Sequence, residues 1–520
     1  MKSNLLKKIF FAGAIITILS NAKAQDGSLD FSFDSDGKVI TAIGTFDDVA
    51  RAVKVQNDGK IVVAGFSYSA SDYDFMVIRY NTDGSLDSNF GIGGVVTTDF
   101  ANSQDKAYCM AIQNDGKIVV AGYAYSVNSD KIALARYNSN GTLDSTFNTN
   151  GKVITAIGSV GDYAYGIALQ NDGKIVVTGG TTAINNLDLL TLRYNTYGSL
   201  DTSFDGDGIV VQNLSNNQND LGNDVVIQTD GKILVAGYAN AGINSDFALL
   251  RFNTDGSLDN SFDSDGILTH GIVGTFNEYA NALALQNDGK IVVTGNTNNS
   301  FYDFVVTRYN IDGSIDNSFD TDGAAVIDFG TGTDFGNSVD IAVQSDDKII
   351  SIGYQNNGTN LKFSLARFNT DGSLDVSFDT DGMVETSFAA LSSESAYAVA
   401  IQADHKILVA GSSYETQGKV GIARYNNSII SSFKEDALSI KEVFISPNPA
   451  NYQTTLYLKL SLKNASINIY NSLGQVIASE ENLHGNRITL QLSHLQEGIY
   501  FVQLMQNDTR FTPQKLVIKK

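Results

Sequence analysis

Short apolar runs recur along the chain between polar turns, as in Ile61-Val62-Val63-Ala64, Ile118-Val119-Val120-Ala121 and Ile233-Leu234-Val235-Ala236. They do not alternate, so each predicts a strand covered on both faces. Each follows a Gln-x-Asp-x-Lys turn whose Gln stands at 56, 113, 170, 228, 286, 344 and 402, a spacing of 57 or 58 residues. Turn punctuation divides one unit into four strands, at 108–113, 117–123, 131–138 and, after a polar loop, 152–156. The first hairpin places Gly where φ must be positive. Asp347 and His405 replace that Gly in two units. Both types tolerate the left-handed region, so His405 reads as a turn residue and not a catalytic one.

Four short strands per unit at a fixed period predict an all-β fold, a seven-bladed β-propeller over residues 25–436. No Pro occurs before residue 447, as strands that cannot spare a ladder donor require. The ends carry the closure. A Leu-Asp-x-x-Phe loop at 29–33 and a strand at 38–42 precede the first unit, while the seventh unit stops after its third strand and a decayed loop copy at 428–433. Pairing the N-terminal strand with the last blade closes the ring and removes both free edges.

Residues 1–24 have a basic start, an apolar stretch and Ala22-Lys23-Ala24, the pattern of a signal peptide cleaved after Ala24. No later segment predicts a transmembrane helix. A lone Cys109 excludes a disulfide framework and reads as a buried strand residue. Residues 25–436 hold 23 Lys+Arg and 52 Asp+Glu, a net of −29. Nucleic acid and anionic membranes are therefore not expected partners, and a monomer is expected.

After residue 436 the period stops, Pro appears at 447, 449 and 513, and the charge reverses sign. Following a linker at 437–442, residues 443–520 predict a small Ig-like β-sandwich with strands at 454–460, 465–470, 475–479, 487–492, 498–504 and 515–519. Ser446-Pro447-Asn448-Pro449-Ala450, Ile469-Tyr470-Asn471-Ser472-Leu473-Gly474-Gln475, Leu495-Gln496-Glu497-Gly498-Ile499-Tyr500 and the Lys515–Lys520 end occur in that order. This segment resembles the type A C-terminal sorting domain of the Bacteroidota type IX secretion system. The resemblance implies outer-membrane type IX machinery as a partner, and release or surface attachment after removal of the domain. The units themselves, with A-x-x-Q-x-D-G-K-I-V-V-A-G and R-Y-N-x-D-G-S-L-D-x-S-F, resemble delta-60 repeats, which implies a propeller and no particular activity.

Catalytic motifs are absent: no H-E-x-x-H, C-x-x-C, G-x-S-x-G or P-loop occurs. Arg79, Arg136, Arg193, Arg251, Arg308, Arg367 and Arg424 end the third strands, and Asp30, Asp87, Asp144, Asp201, Asp259, Asp316 and Asp375 sit in the Leu-Asp loops. One copy per blade predicts scaffold ion pairs. Asp-x-Asp-Gly, as at 34–37, suggests a Ca²⁺ loop but lacks the further ligands, so it reads as a turn. Asp48, Asp105, Asp162, Asp220, Glu278, Asp334 and Glu394 precede the first strands and are expected to ring one mouth of the channel, where Ca²⁺ is the cofactor to test. Tyr68, Tyr123, Tyr238 and Tyr354 follow the second strands on the same face. Aromatic faces among Asn and Ser suit sugars, so the expected function is a secreted or surface binding module for a glycan or another extracellular macromolecule. A carboxylate- or Tyr-based carbohydrate-active enzyme and a structural matrix protein are the alternatives.

Overall fold

The computed structural model describes residues 25–428 and 443–520, apart from positions 70, 101, 127, 183–185, 216–217, 241, 243, 273–275, 300, 328, 330–334, 357–359, 472–475, 494, 507–508 and 511–513. The segment expected as a signal peptide, the expected cleavage site at Ala24, the expected linker at 437–442 and Asp334 lie outside the described residues. Two compact units result, one within Met1–Ile429 and one within Ile430–Lys520.

The first unit consists of seven four-stranded antiparallel sheets. Blade 2 shows the pattern: Asp105–Ile112, Ile118–Ser126, Ser129–Tyr137 and Lys152–Thr155. The first strand of blade 2 starts earlier than expected, because the acidic residue ahead of it already pairs: Asp105 lies opposite Ala124. Blade 7 takes Ser393–Ile401, Ile407–Tyr414 and Gly418–Tyr425 from its own unit and Lys38–Thr41 from the chain start. The register runs from Lys38 opposite Ala423 to Thr41 opposite Val420. Second strands are buried on both faces, Ile175–Thr181 along its whole length, since neighbouring blades stack on them. Ala52, Val62 and Ala64 of blade 1 pack on Ala107, Met110 and Val120 of blade 2.

The scaffold pairs form in every blade. Arg Nε meets the loop carboxylate at 2.8 Å in Arg79–Asp87 and Arg136–Asp144, and at 2.7 Å in Arg193–Asp201. The distance is 2.6 Å in Arg251–Asp259 and Arg308–Asp316, and 2.7 Å in Arg367–Asp375. Arg424 finds its carboxylate in Asp30, from the chain start, at 2.7 Å. The turn Lys completes the set, as Lys60 with Asp87 at 2.8 Å and Lys406 with Asp30 at 2.7 Å. Each guanidinium also lies over the loop Phe, 4.5 Å from the Phe147 centroid for Arg136 and from Phe33 for Arg424. The Arg then donates across the blade boundary, Arg136 Nη1 to Thr196 O at 2.5 Å and Arg424 Nη1 to Thr82 O at 2.5 Å. One side chain therefore fixes its own loop and the next blade.

His405 and Asp347 occupy the turn positions at φ 72° and 62°, as expected of Gly replacements. The Asp-x-Asp-Gly loop is a turn: Asp34 and Ser35 have positive φ, and Asp36 Oδ1 accepts the Lys38 N–H at 2.9 Å.

The C-terminal unit departs from the expected strand list. Residues 454–460 and 465–470 belong to one continuous strand, Gln453–Tyr470, and 475–479 and 487–492 fall largely within another, Val476–Gln491. The two strands pair through register shifts between Tyr457 and Leu462 and between Leu462 and Ala465. Bulges absorb the polar segments that read as loops. The core includes Leu456, Ile467, Leu490, Val502 and Leu516.

Two outcomes follow from the pairs. Replacing Asp30 by Asn leaves Arg424 buried without its counter-charge and should cost about 3–5 kcal/mol in denaturant unfolding. A loss below about 1 kcal/mol would show that the N-terminal segment does not hold the ring. In acid, Lys60 first and then the Asn89 N–H and Arg79 hold Asp87 down at about 2, against an ordinary value of 3.8. Asp30, Asp144, Asp201 and Asp375 are held equally low by their Lys, Ser or Thr and Arg partners, which outweigh the effect of burial. A depressed folded value means stability that is present above the unfolded value and lost as pH falls through the folded one. Melting temperature should therefore drop steeply between about pH 4 and pH 2.

Candidate functional site

The channel wall is made by a repeated backbone defect. In every first strand the register shifts by one residue, between Ala50 and Ala52, Ala107 and Cys109, Ala164 and Gly166, Gly222 and Asp224, Ala280 and Ala282, Ser338 and Asp340, and Ala396 and Ala398. A glycine opposite makes this possible. A Cβ on Gly65 would lie 1.9 Å from Val49 O, and one on Gly122 would lie 1.9 Å from Lys106 O. The bulged residue points away from the ladder into the lumen. Around the ring it is Arg51, Tyr108, Tyr165, Asn223, Asn281, Val339 and Tyr397, and all seven line a cavity of ≈ 340 Å³.

These seven positions are not equivalent. Arg51 Cζ lies 3.9 Å from the Tyr397 ring centroid and 5.2 Å from that of Tyr108, so its guanidinium is held between the rings of both neighbouring blades. Its Nε is buried and makes no hydrogen bond within the protein. Aromatic contacts continue outward: Tyr108 meets Tyr165 at 5.1 Å, Tyr123 at 5.8 Å and Phe66 at 6.1 Å. Lys106 Nζ stands 4.4 Å over Tyr73 and 5.1 Å over Phe66. Burial, and after it the charge of Arg51, lowers the Lys106 pKa. Blades 7, 1, 2 and 3 thus carry an aromatic crescent with two cations set in it, and Tyr354 of blade 6 extends it beside Tyr397.

The bulged positions and lumen wall of blades 4 to 6 face it with the amides Asn223 and Asn281 and the acids Asp224 and Asp340. Asn223 Nδ2 donates to Ala280 O at 2.8 Å, and Asn281 Nδ2 to Ser338 O at 2.6 Å. Asp224 and Asp340 stand in the lumen wall where other blades have Ala, Gly or Cys. Asp224 accepts from Val225 N at 2.8 Å and Leu283 N at 3.0 Å, and Asp340 from Ile341 N and Val399 N at 2.8 Å. Burial first, and then the Asp340 charge, push Asp224 up to about 7 against those bonds and Lys54. Asp340 is also raised by burial.

The carboxylates expected at the channel mouth are elsewhere. Asp48, Asp105, Asp162, Asp220 and Glu394 are 0% exposed and Glu278 1%. Each accepts from the connection entering its blade: Ile43 N to Asp48 at 2.7 Å, Phe100 N to Asp105 at 2.6 Å, Ile157 N to Asp162 at 2.9 Å. The same holds for Leu214 N to Asp220 at 2.7 Å, Ile272 N to Glu278 at 2.6 Å and Phe388 N to Glu394 at 3.2 Å. These six do not ring the lumen, because satisfying the buried N–H groups of the connection turns them inward. The tyrosines divide. Tyr123 joins the crescent through Tyr108 and Tyr163, and Tyr354 through Tyr397 at 6.0 Å. Tyr68 reaches it through Tyr73 at 5.1 Å, while Tyr238 packs on Tyr279 at 4.9 Å in blades 4 and 5. Arg51, Lys106, Tyr108, Tyr165, Asp224 and Tyr397 went unnoticed in the sequence. Their signal was three columns of the repeat that change residue type from blade to blade, one holding Arg51, Tyr108, Tyr165 and Tyr397 and the others Lys106 and Asp224.

Seven stretches, 56–90, 113–147, 170–204, 228–262, 286–319, 344–378 and 402–428, match the family described as Domain of unknown function (DUF5122) beta-propeller. Residues 444–519 match the Secretion system C-terminal sorting domain. Similar solved structures include a virginiamycin B lyase from Staphylococcus aureus at 13% identity and TM-score 0.42, over 75% of this chain and 99% of that one. The polysaccharide lyase Uly1 matches at 14% and 0.40, over 74% and 91%. Drosophila Semaphorin 2a matches at 8% and 0.41, over 96% and 99%. No curated protein matches in sequence. The chain belongs to the DUF5122 beta-propellers, with seven repeats and a C-terminal sorting domain that sends it to the cell surface or into the medium.

Proposed function

We propose that the propeller is a glycan-binding module whose ligand lies over the lumen at blades 7, 1, 2 and 3. A sugar with an acidic substituent fits best. The observation that carries this reading is the asymmetry of the seven bulged lumen positions: those of blades 7, 1, 2 and 3 are Arg or Tyr, and those of blades 4 to 6 are Asn or Val. Scaffold residues repeat, so a cluster that breaks the repeat is retained for something other than closing the ring. Tyr faces stack on the apolar faces of sugar rings, and Arg51, with its Nε free of protein partners, offers a planar donor to a carboxylate or sulfate. The rest of the propeller repels polyanions, which restricts such a ligand to this one face.

Carbohydrate cleavage is the second reading, and one observation favours it: Asp224 is held near 7 in the lumen wall, where a general acid operates well. Its two oxygens are, however, engaged by backbone N–H groups.

A glycan array probed with the mature protein, followed by product analysis of each hit, separates the readings. Binding should be to acidic oligosaccharides, recovered uncleaved. Tyr108→Ala and Arg51→Met should each weaken it by about tenfold, or about 1.4 kcal/mol, with melting temperature little changed. Shortened products that vanish in Asp224→Asn would favour the enzyme. No retained glycan, or binding indifferent to both substitutions, would remove the crescent from consideration.

A further inference from the structure

A column on the third strands supplies a comparison inside the molecule. Eighteen residues after the turn Gln stand Asp74, Lys131 and Asp188 in blades 1 to 3, each close to the buried first-strand acid of the next blade. Between blades 2 and 3 the arrangement is neutralised, with Lys131 Nζ 3.7 Å from Asp162 Oδ2. Between blades 3 and 4 the carboxylate is instead partnered by two amides, Asn186 Nδ2 and Asn213 Nδ2, which donate to Asp188 Oδ1 at 2.7 Å and 2.9 Å.

Between blades 1 and 2 neither device is present. Asp74 faces Asp105, and the position that holds Asn213 two blades on holds Asp99. One carboxylate oxygen from each of Asp74, Asp99 and Asp105 lies within 4.8 Å of the other two. Asp74 is 7% exposed and Asp105 0%. One oxygen of each is taken, Asp74 Oδ2 by the Ser69 hydroxyl and Asp105 Oδ2 by the Phe100 N–H at 2.6 Å. The other oxygen of each, Asp74 Oδ1 and Asp105 Oδ1, is buried with no hydrogen-bond partner. Among the described residues no salt bridge reaches Asp74 or Asp105. Lys152 Nζ donates to the Asp99 main-chain oxygen at 2.9 Å, not to a carboxylate. Two buried carboxylate oxygens without a protein partner cost several kcal/mol unless a positive charge meets them.

We propose that Asp74, Asp99 and Asp105 bind one divalent cation, Ca²⁺ by preference, at the boundary of blades 1 and 2. Three carboxylates of hard oxygen donors, one of them exposed, give a Ca²⁺ ion the ligand type it needs and leave room for water to complete its shell. The ion would do between these blades what Lys131 does between the next two.

The test is calorimetric titration of the metal-stripped full chain with CaCl₂ at pH 7.5, with thermal unfolding in parallel. The expected result is a melting temperature that rises with Ca²⁺ concentration, by mass action on the folded state. Asp99→Asn, at an exposed position, should fold normally and weaken Ca²⁺ binding by at least about tenfold. Asp74→Lys, copying blade 2, should raise the metal-free melting temperature and lose the Ca²⁺ increment; if it fails to fold, Asp99→Asn decides alone. Asp188→Asn should leave the increment intact. Absence of any Ca²⁺ effect overturns the proposal, as does an increment of full size in Asp99→Asn. A metal-free chain that gains stability on acidification through pH 7 and ignores Ca²⁺ also overturns it, since protons would then be the neutralising charge.

Discussion

The Arg at the end of each third strand is the constraint on which the ring depends. It is buried, and its charge is matched by a loop Asp, its face by a loop Phe, and its outer nitrogen by a carbonyl of the next blade. Such a group is costly to bury alone and cheap when every donor is met. Because the last partner lies in the following blade, the same side chain that orders a loop also sets the angle between sheets. Seven copies need seven carboxylates, and the chain provides the seventh from its beginning: Asp30 meets Arg424 and Lys406. Ring closure is thus an electrostatic requirement as well as a matter of strand pairing.

A scaffold this uniform makes its exceptions informative. The bulge in each first strand frees one side chain per blade from the ladder, and no scaffold contact dictates what that residue must be. The small partner of the bulge repeats as Gly65, Gly122, Gly179, Gly237, Gly295, Gly353 and Gly411. The bulged residue itself changes from Arg to Tyr to Asn to Val. Uniform positions hold the fold and variable ones face the lumen, which is how the same repeat can present an asymmetric surface. The blade 1–2 boundary shows the same logic at a structural position, with Asp74 where a neighbour has Lys131.

Much of this was legible in the sequence, because propeller architecture is written in periodicity. The strand count, the closure by residues 38–41 and the Arg–Asp pairs all follow from the register of the turns. The lumen was less legible, for a physical reason. A residue that begins a strand in an acidic column, such as Asp48 or Asp162, has no sequence mark to say whether it points at solvent or at the N–H groups of the preceding connection. The structure shows the latter. Gly65 and its equivalents, given no role within the second strands by the sequence reading, are the mark of a bulge, since a strand-interior Gly signals close backbone approach. Reading that mark would have led to Arg51, Tyr108 and Tyr397. In the C-terminal unit the long strands Gln453–Tyr470 and Val476–Gln491 were read as separate segments because polar residues at their bulges look like loops.

The central claim is that fold and function are divided between the repeating and the non-repeating positions. It is tested most directly by replacing the seven bulged residues one at a time with Ala, in a chain of known ligand, and measuring binding and melting temperature for each. Binding should fall for Arg51, Tyr108, Tyr165 and Tyr397, stay near the parent for Asn223, Asn281 and Val339, and change without regard to melting temperature. Losses spread evenly over the seven blades, or losses that track stability, would contradict the account.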